Sequence, residues 1–113
     1  MQRTKIYIAV PMSLGDRIEN LSIGLRAYRS LLGAGYAPMC PSLNFFMHPF
    51  ADITHSQWLE VDLPWVKSAD GLLRIQGESK GADLEVKTAV QFDIPVFYSL
   101  DSLYENLSPL RRE

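Results

Sequence analysis

The residues Ile6-Tyr7-Ile8-Ala9-Val10 form a continuous apolar run that Pro11 ends. A run this short with no polar alternation reads as a strand buried on both faces, the habit of parallel sheets. The next apolar residues keep another period. Ile18, Leu21, Leu25, Tyr28 and Leu32 recur at spacings of 3, 4, 3 and 4, while Asp16, Arg17, Glu19, Arg26 and Arg29 take the other side. That is an amphipathic helix, with Ser13 at the N-cap position and Gly33 and Gly35 at its C-terminal end. Parallel strands need long, usually helical, crossovers, so a two-sided strand followed by such a helix constrains the chain toward an α/β fold.

The alternation continues along the chain. Tyr36–Cys40 reads as a short second strand in which Pro38 suits a sheet edge. A loop from Pro41 to Thr54 follows, then a helix from His55 to about Ala69, where Pro64 removes a backbone donor and predicts a kink or a restart. Gly71–Ile75 is a third strand, Ser79 to about Phe92 a third helix, Ile94–Tyr98 a fourth strand, and Asp101 is expected to cap a last helix over Ser102–Leu107. At 113 residues the chain has the length of one domain. The expected fold is therefore a small single-domain α/β three-layer sandwich around a four- or five-stranded, mostly parallel sheet, Rossmann-like or flavodoxin-like. Ligands bind such sheets beyond the carboxyl ends of the strands, which here are residues 11–17, 41–54, 76–81 and 99–101.

Composition excludes several classes of function. With 47% hydrophobic and 21% charged residues the chain is globular, and its formal charge of −2 gives no global field for nucleic-acid polymers or anionic membranes. Any anion must be gripped locally. The lone Cys40 cannot form an internal disulfide, and no Cys/His spacing matches a zinc site, so neither metal nor cofactor is expected. Met1–Lys5 leads into an apolar run too short for a signal-peptide core or a membrane span, which predicts a soluble, cytoplasmic protein.

Glu85 is the most informative residue. On a helical projection it shares a face with Gly81, Ala82, Ala89 and Phe92, while Lys80, Asp83 and Lys87 lie opposite. A carboxylate amid small and apolar residues is costly unless paired or protonated, which marks a functional candidate; the plainer alternative is an early-turn acid favoured by the helix dipole. Asp62 poses the same question among Trp58, Leu59, Val66 and Trp65, the alternative being a cap for a helix restarted at Pro64. Ser13-Leu14-Gly15-Asp16-Arg17 and Glu78-Ser79-Lys80-Gly81 each open a helix with free amides, a hydroxyl and a cation, suited to a phosphate or to ordinary capping. Neither has the glycine spacing of a P-loop or a dinucleotide fingerprint. The segment Leu43–Trp65 carries Phe45, Phe46, Phe50, Trp58 and Trp65, material for a core layer, an interface or a lid over a flat ligand. His48 and His55 lie near its ends, His55 as a possible cap or ligand contact, and Cys40 reads as a core or rim residue.

At these residues the sequence resembles the nucleoside 2-deoxyribosyltransferase superfamily, which includes the 2'-deoxynucleoside 5'-phosphate N-hydrolases and small uncharacterised, often phage-borne, groups. The resemblance runs from Lys5 to Tyr98 and is carried by Lys5-Ile6-Tyr7-Ile8-Ala9-Val10-Pro11-Met12, by Asp62-Leu63-Pro64-Trp65-Val66-Lys67-Ser68-Ala69-Asp70, and by Gly77-Glu78-Ser79-Lys80-Gly81-Ala82-Asp83-Leu84-Glu85. It implies Glu85 as the nucleophile at the anomeric carbon, Asp62 as the group near the nucleobase and Tyr7 as the residue orienting the nucleophile. It also implies Ser79, with Gly81 beside it, Ser13 and Arg17 at the 5'-phosphate, while Trp58 on the Asp62 helix joins the substrate-binding candidates. The family usually has glycine near the end of strand one, where this chain has Val10-Pro11, and the long, aromatic loop before the Asp62 helix looks most like the uncharacterised groups. The resulting expectation is an N-glycosidase or deoxyribosyltransferase-like enzyme for a nucleoside or nucleoside 5'-monophosphate, acting as a homodimer. The alternatives are a non-catalytic nucleotide sensor on the same fold and a structural protein in which Glu85 is merely solvated.

Overall fold

The computed structural model describes residues 2–11, 17–43 and 53–111. Four strands, β1 (Lys5–Ala9), β2 (Ala37–Met39), β3 (Gly71–Arg74) and β4 (Val96–Phe97), pair in the order β2-β1-β3-β4, all parallel. Four helices connect and follow them: α1 (Arg17–Gly33), α2 (His55–Ser68), α3 (Lys80–Gln91) and α4 (Leu100–Asn106). The strand order changes direction between β1 and β3, the topological switch point at which such sheets open a crevice. Pro38 falls on the edge strand β2, where its missing N–H interrupts no ladder.

Strand alternation divides the core in two. Ile6, Ile8, Val10, Leu73 and Phe97 meet Ala27 and Leu31 of α1 and Leu103 of α4. On the other face Tyr7, Ala9 and Leu72 meet Val66 of α2 and Ala82 and Ala89 of α3. The result is the expected three-layer α/β sandwich around four parallel strands.

Several helix details depart from the sequence expectation. Of its expected apolar line α1 buries Leu21 and packs Tyr28 against the core, but Ile18, Leu25 and Leu32 are exposed, and Ala27 and Leu31 are buried in their stead. Gly24 explains the rotation, because a Cβ there would lie 2.7 Å from Val10 Cγ2, so the helix turns its small side to the end of β1. Its C-terminus closes as anticipated, with the Gly35 and Tyr36 amides donating to the Leu32 and Leu31 carbonyls at 3.2 and 3.0 Å.

α2 runs unbroken through Pro64, so Asp62 lies inside the helix and caps nothing. Its N-cap is Thr54 and not His55: Thr54 Oγ1 accepts from the Gln57 amide at 3.2 Å and Gln57 Oε1 from the Thr54 amide at 2.8 Å, a capping box. Phe92 ends α3 at the surface, where the Lys67 ammonium sits 5.0 Å over its ring, and so it does not share the buried face of Glu85. Trp65 is likewise exposed, at 53%. The last helix is capped by Ser99, whose Oγ accepts from the Ser102 amide at 3.1 Å; Asp101 sits in its first turn.

Candidate active site

Glu85 stands one turn after Gly81 on the face of α3 that packs against the sheet. Gly81, Ala82, Thr88 and Ala89 are buried around it, and Glu85 itself is only 7% exposed. Small side chains on this face let the helix approach β1 closely enough for the Tyr7 hydroxyl to donate a hydrogen bond to Glu85 Oε2. Tyr7 lies on the central strand, in register with Leu72 of β3. Burial, then the charges of Glu85 and Asp62, push its hydroxyl far above the usual phenol range, so it stays protonated and serves Glu85 as a donor.

Asp62 arrives from α2 on the same side of the sheet. Its Oδ1 is buried with no hydrogen-bond partner among the described residues. A buried polar atom left unpaired costs roughly 1–3 kcal/mol, and native structures satisfy most such atoms, so this one calls for an explanation. Burial raises the Asp62 carboxyl to about 6. The Glu85 carboxyl is raised to about 7, chiefly by burial, with the Asp62 charge adding to the rise while the Tyr7 hydrogen bond and the Arg74 charge oppose it. The site thus groups two protonatable carboxyls and a neutral donor on the Tyr7 face of the sheet.

The other sequence candidates surround this centre unevenly. Ser79 is buried at the start of α3 and caps it, its Oγ accepting from the Ala82 amide at 3.1 Å, which leaves the hydroxyl proton to offer elsewhere. Gly81 is buried in the first turn. Trp58 is half-buried on α2, one turn before Asp62. Arg17 begins α1, but its side chain lies outside the described residues, as do Ser13, His48, Phe45, Phe46, Phe50 and the His55 side chain. Cys40 is buried just past the end of β2, its Sγ 2.9 Å from Ser42 Oγ; burial raises its thiol, which is therefore no thiolate nucleophile. Among the described residues no three His, Cys, Asp or Glu side chains are grouped to hold a metal ion.

No protein-family model matches the sequence, and no curated protein is similar to it in sequence. Solved structures do match. The 2-deoxyribosyltransferase of the psychrotolerant bacterium Bacillus psychrosaccharolyticus aligns over 82% of this chain and 69% of its own at 25% identity, with a TM-score of 0.65. The fold is that of the nucleoside 2-deoxyribosyltransferase-like superfamily. A conserved protein of Enterococcus faecalis V583 shares the fold at 19% identity, over 84% of this chain and 62% of its own, with a TM-score of 0.63.

Pro11 is buried, and its carbonyl accepts from Asn20 Nδ2 at 2.7 Å. A Cβ on Gly77 would lie 2.7 Å from the Pro11 ring, and Gly77 has φ 139°, so glycine is required in the β3–α3 turn, opposite the proline. Sequence reasoning also passed over Arg74. It ends an otherwise apolar strand, yet alternation alone puts Arg74 on the face of Leu72, and so on the Tyr7 face of the sheet.

Proposed function

We propose that the chain is an N-glycosidase or deoxyribosyltransferase-like enzyme that cleaves the N-glycosidic bond of a nucleoside or nucleoside 5'-monophosphate. The observation that carries this reading is the buried Glu85 carboxyl, held by the Tyr7 donor and raised in pKa together with the half-buried Asp62. The structural relative from Bacillus psychrosaccharolyticus, a 2-deoxyribosyltransferase described as a biocatalyst for nucleoside synthesis, supports the substrate class. Burial of Glu85 speaks against a merely solvated helix acid.

Glycosidic cleavage develops positive charge on the sugar, and a carboxylate beneath the anomeric carbon stabilises that charge and can capture it. In the proposed first step Glu85 attacks C1' as the C1'–N bond breaks; the bonding pair leaves with the base, which takes a proton from Asp62. This gives a glycosyl ester on Glu85, a free base and an ionised Asp62. In the second step water attacks C1', Asp62 takes its proton, and the Glu85 carboxylate is released; a second nucleobase in place of water makes the enzyme a transferase. Tyr7 holds the Glu85 oxygen in line. Ser79 and Gly81 at the start of α3, with Ser13 and Arg17 as the resemblance implies, receive the 5' end of the substrate, and Trp58 flanks the base. The active species in this proposal is a homodimer, which sedimentation at micromolar concentration tests: a monomer contradicts it.

The deciding experiment is release of free base from a panel of ribo- and deoxyribonucleosides and their 5'-monophosphates by wild type and Glu85→Ala. Cleavage of at least one substrate, lost in the variant, is expected. No free base from any substrate, or equal activity in the variant, overturns the reading. The second reading, a nucleotide-binding protein without turnover, draws on Val10-Pro11 filling the end of β1. Thermal stabilisation by a nucleotide without base release favours it.

A further inference from the structure

Arg74 ends β3 in register with Ala9 of β1 and is only 7% exposed. Its guanidinium is satisfied: Nη1 donates to the Ile75 carbonyl, and Nη2 to the Gly77 carbonyl at 2.8 Å and to Asp83 Oδ1 at 3.0 Å. Stability alone does not account for this. The Asp83 side chain is 73% exposed, and a half-solvated pair contributes little, while an apolar side chain of similar volume would fill the same space without desolvating a charge. What the guanidinium achieves is geometric. It joins the β3–α3 turn to the first turn of the helix that carries Glu85, and the same turn rests on Pro11 through Gly77.

We infer that Arg74 is a positioning residue for Glu85: it clasps the turn before α3 through the Ile75 and Gly77 carbonyls and Asp83, and it fixes a permanent cation on the side of the sheet where Glu85 lies. The inference rests on the proposed role of Glu85 as nucleophile. The titratable groups acting on Glu85 come from every layer around it: Tyr7 from β1, Arg74 from β3, Asp62 from α2 and Cys40 beyond β2. Tyr7 and Cys40 are held neutral by burial, and Asp62 is an acid. Arg74 is therefore the cation of this group among the described residues, and the one charge that favours an ionised Glu85 before substrate arrives.

The test follows the Glu85 carboxyl by carbon-13 NMR titration in the free protein, which needs no turnover, alongside the pH profile of base release. Arg74→Met removes both clasp and charge; Arg74→Gln keeps an amide that can reach the turn carbonyls but removes the charge; Arg74→Lys keeps the charge. In both neutral variants the Glu85 midpoint is expected to rise by about half a unit or more, with the alkaline limb of kcat/KM moving the same way, and Arg74→Lys is expected to restore most of the shift. Asp83→Asn, which leaves the guanidinium in place, is expected to cause no rise. If base is never released but the midpoint moves, the glycosidase reading fails and the role of Arg74 at Glu85 stands. If neither the midpoint nor the alkaline limb moves in whichever neutral variant folds, the inference is overturned.

Discussion

Glu85 and Asp62 are raised by the same cause, burial, but they are not equivalent. Glu85 has a donor in Tyr7 and a cation in Arg74; Asp62 Oδ1 has no partner among the described residues. Positive charge growing on a sugar beside Glu85 favours ionising that carboxyl, leaving the remaining proton on Asp62, where a departing base can take it. The pair is competent when it holds one proton, and its two steps belong to the pair. Below about 6 both carboxyls are protonated and no nucleophile exists; above about 7 both are ionised and no acid exists. A narrow bell in kcat/KM, highest in weakly acidic solution with limbs near those values, is expected from initial rates between pH 4 and 9. An acidic limb near the ordinary carboxylate range would contradict it. Tyr7→Phe removes a hydrogen bond to a charged group, worth roughly 1.5–3 kcal/mol, so kcat should fall roughly 10- to 100-fold with the fold intact. Glu85 was legible in the sequence because helical projection isolates an acid among small residues. Arg74 was not, because one cation ending a four-residue strand breaks no period.

At the scale of elements, strands and helix order could be read from periodicity, whereas the faces that helices turn inward could not always be. α1 has an apolar line at Ile18, Leu25 and Leu32 that the period favours, but close approach at Gly24 decides its rotation. Gly24→Ala tests that account. Alanine improves helix propensity by up to about 1 kcal/mol, while forcing a methyl against the buried Val10 costs about 1–3 kcal/mol. A net loss is expected, seen as a melting temperature lower by several degrees; a gain would show that α1 can move freely away from β1. α2 illustrates the opposite error, in which a local rule was overruled. Pro64 is exposed within a continuous helix that a capping box at Thr54 and burial of Val66 hold in place. Interior proline costs a helix about 3 kcal/mol, partly offset by its restriction of the unfolded chain. Pro64→Ala is accordingly expected to raise the melting temperature while leaving Asp62 in place, and a fall would assign the proline a part in shaping the pocket.

For the molecule as a whole, a site built from buried acids sets how stability depends on pH. In the unfolded chain Glu85 and Asp62 titrate near 4.5 and 3.8; in the folded chain they titrate near 7 and 6. Between these limits the folded state binds more protons than the unfolded one, so stability falls as pH rises. The contribution is fully present below the unfolded values and is lost on passing through the folded ones. At about 1.4 kcal/mol per unit, Glu85 accounts for up to about 3 kcal/mol of this loss, and the less buried Asp62 for a smaller share. That is a sizeable part of the stability of a domain of this length. Urea unfolding should therefore give a higher midpoint at pH 5 than at pH 8, the reverse of what salt-bridged surface carboxylates produce. Glu85→Gln keeps an acceptor for the Tyr7 hydroxyl and cannot ionise. It is expected to flatten the dependence and to be more stable than wild type at pH 8, with Glu85→Gln/Asp62→Asn flatter still. A wild type equally stable at both pH values, or a variant that keeps the full slope, would mean that the carboxyls reach water and that the site is not the dry, proton-holding pocket that glycosidic chemistry uses.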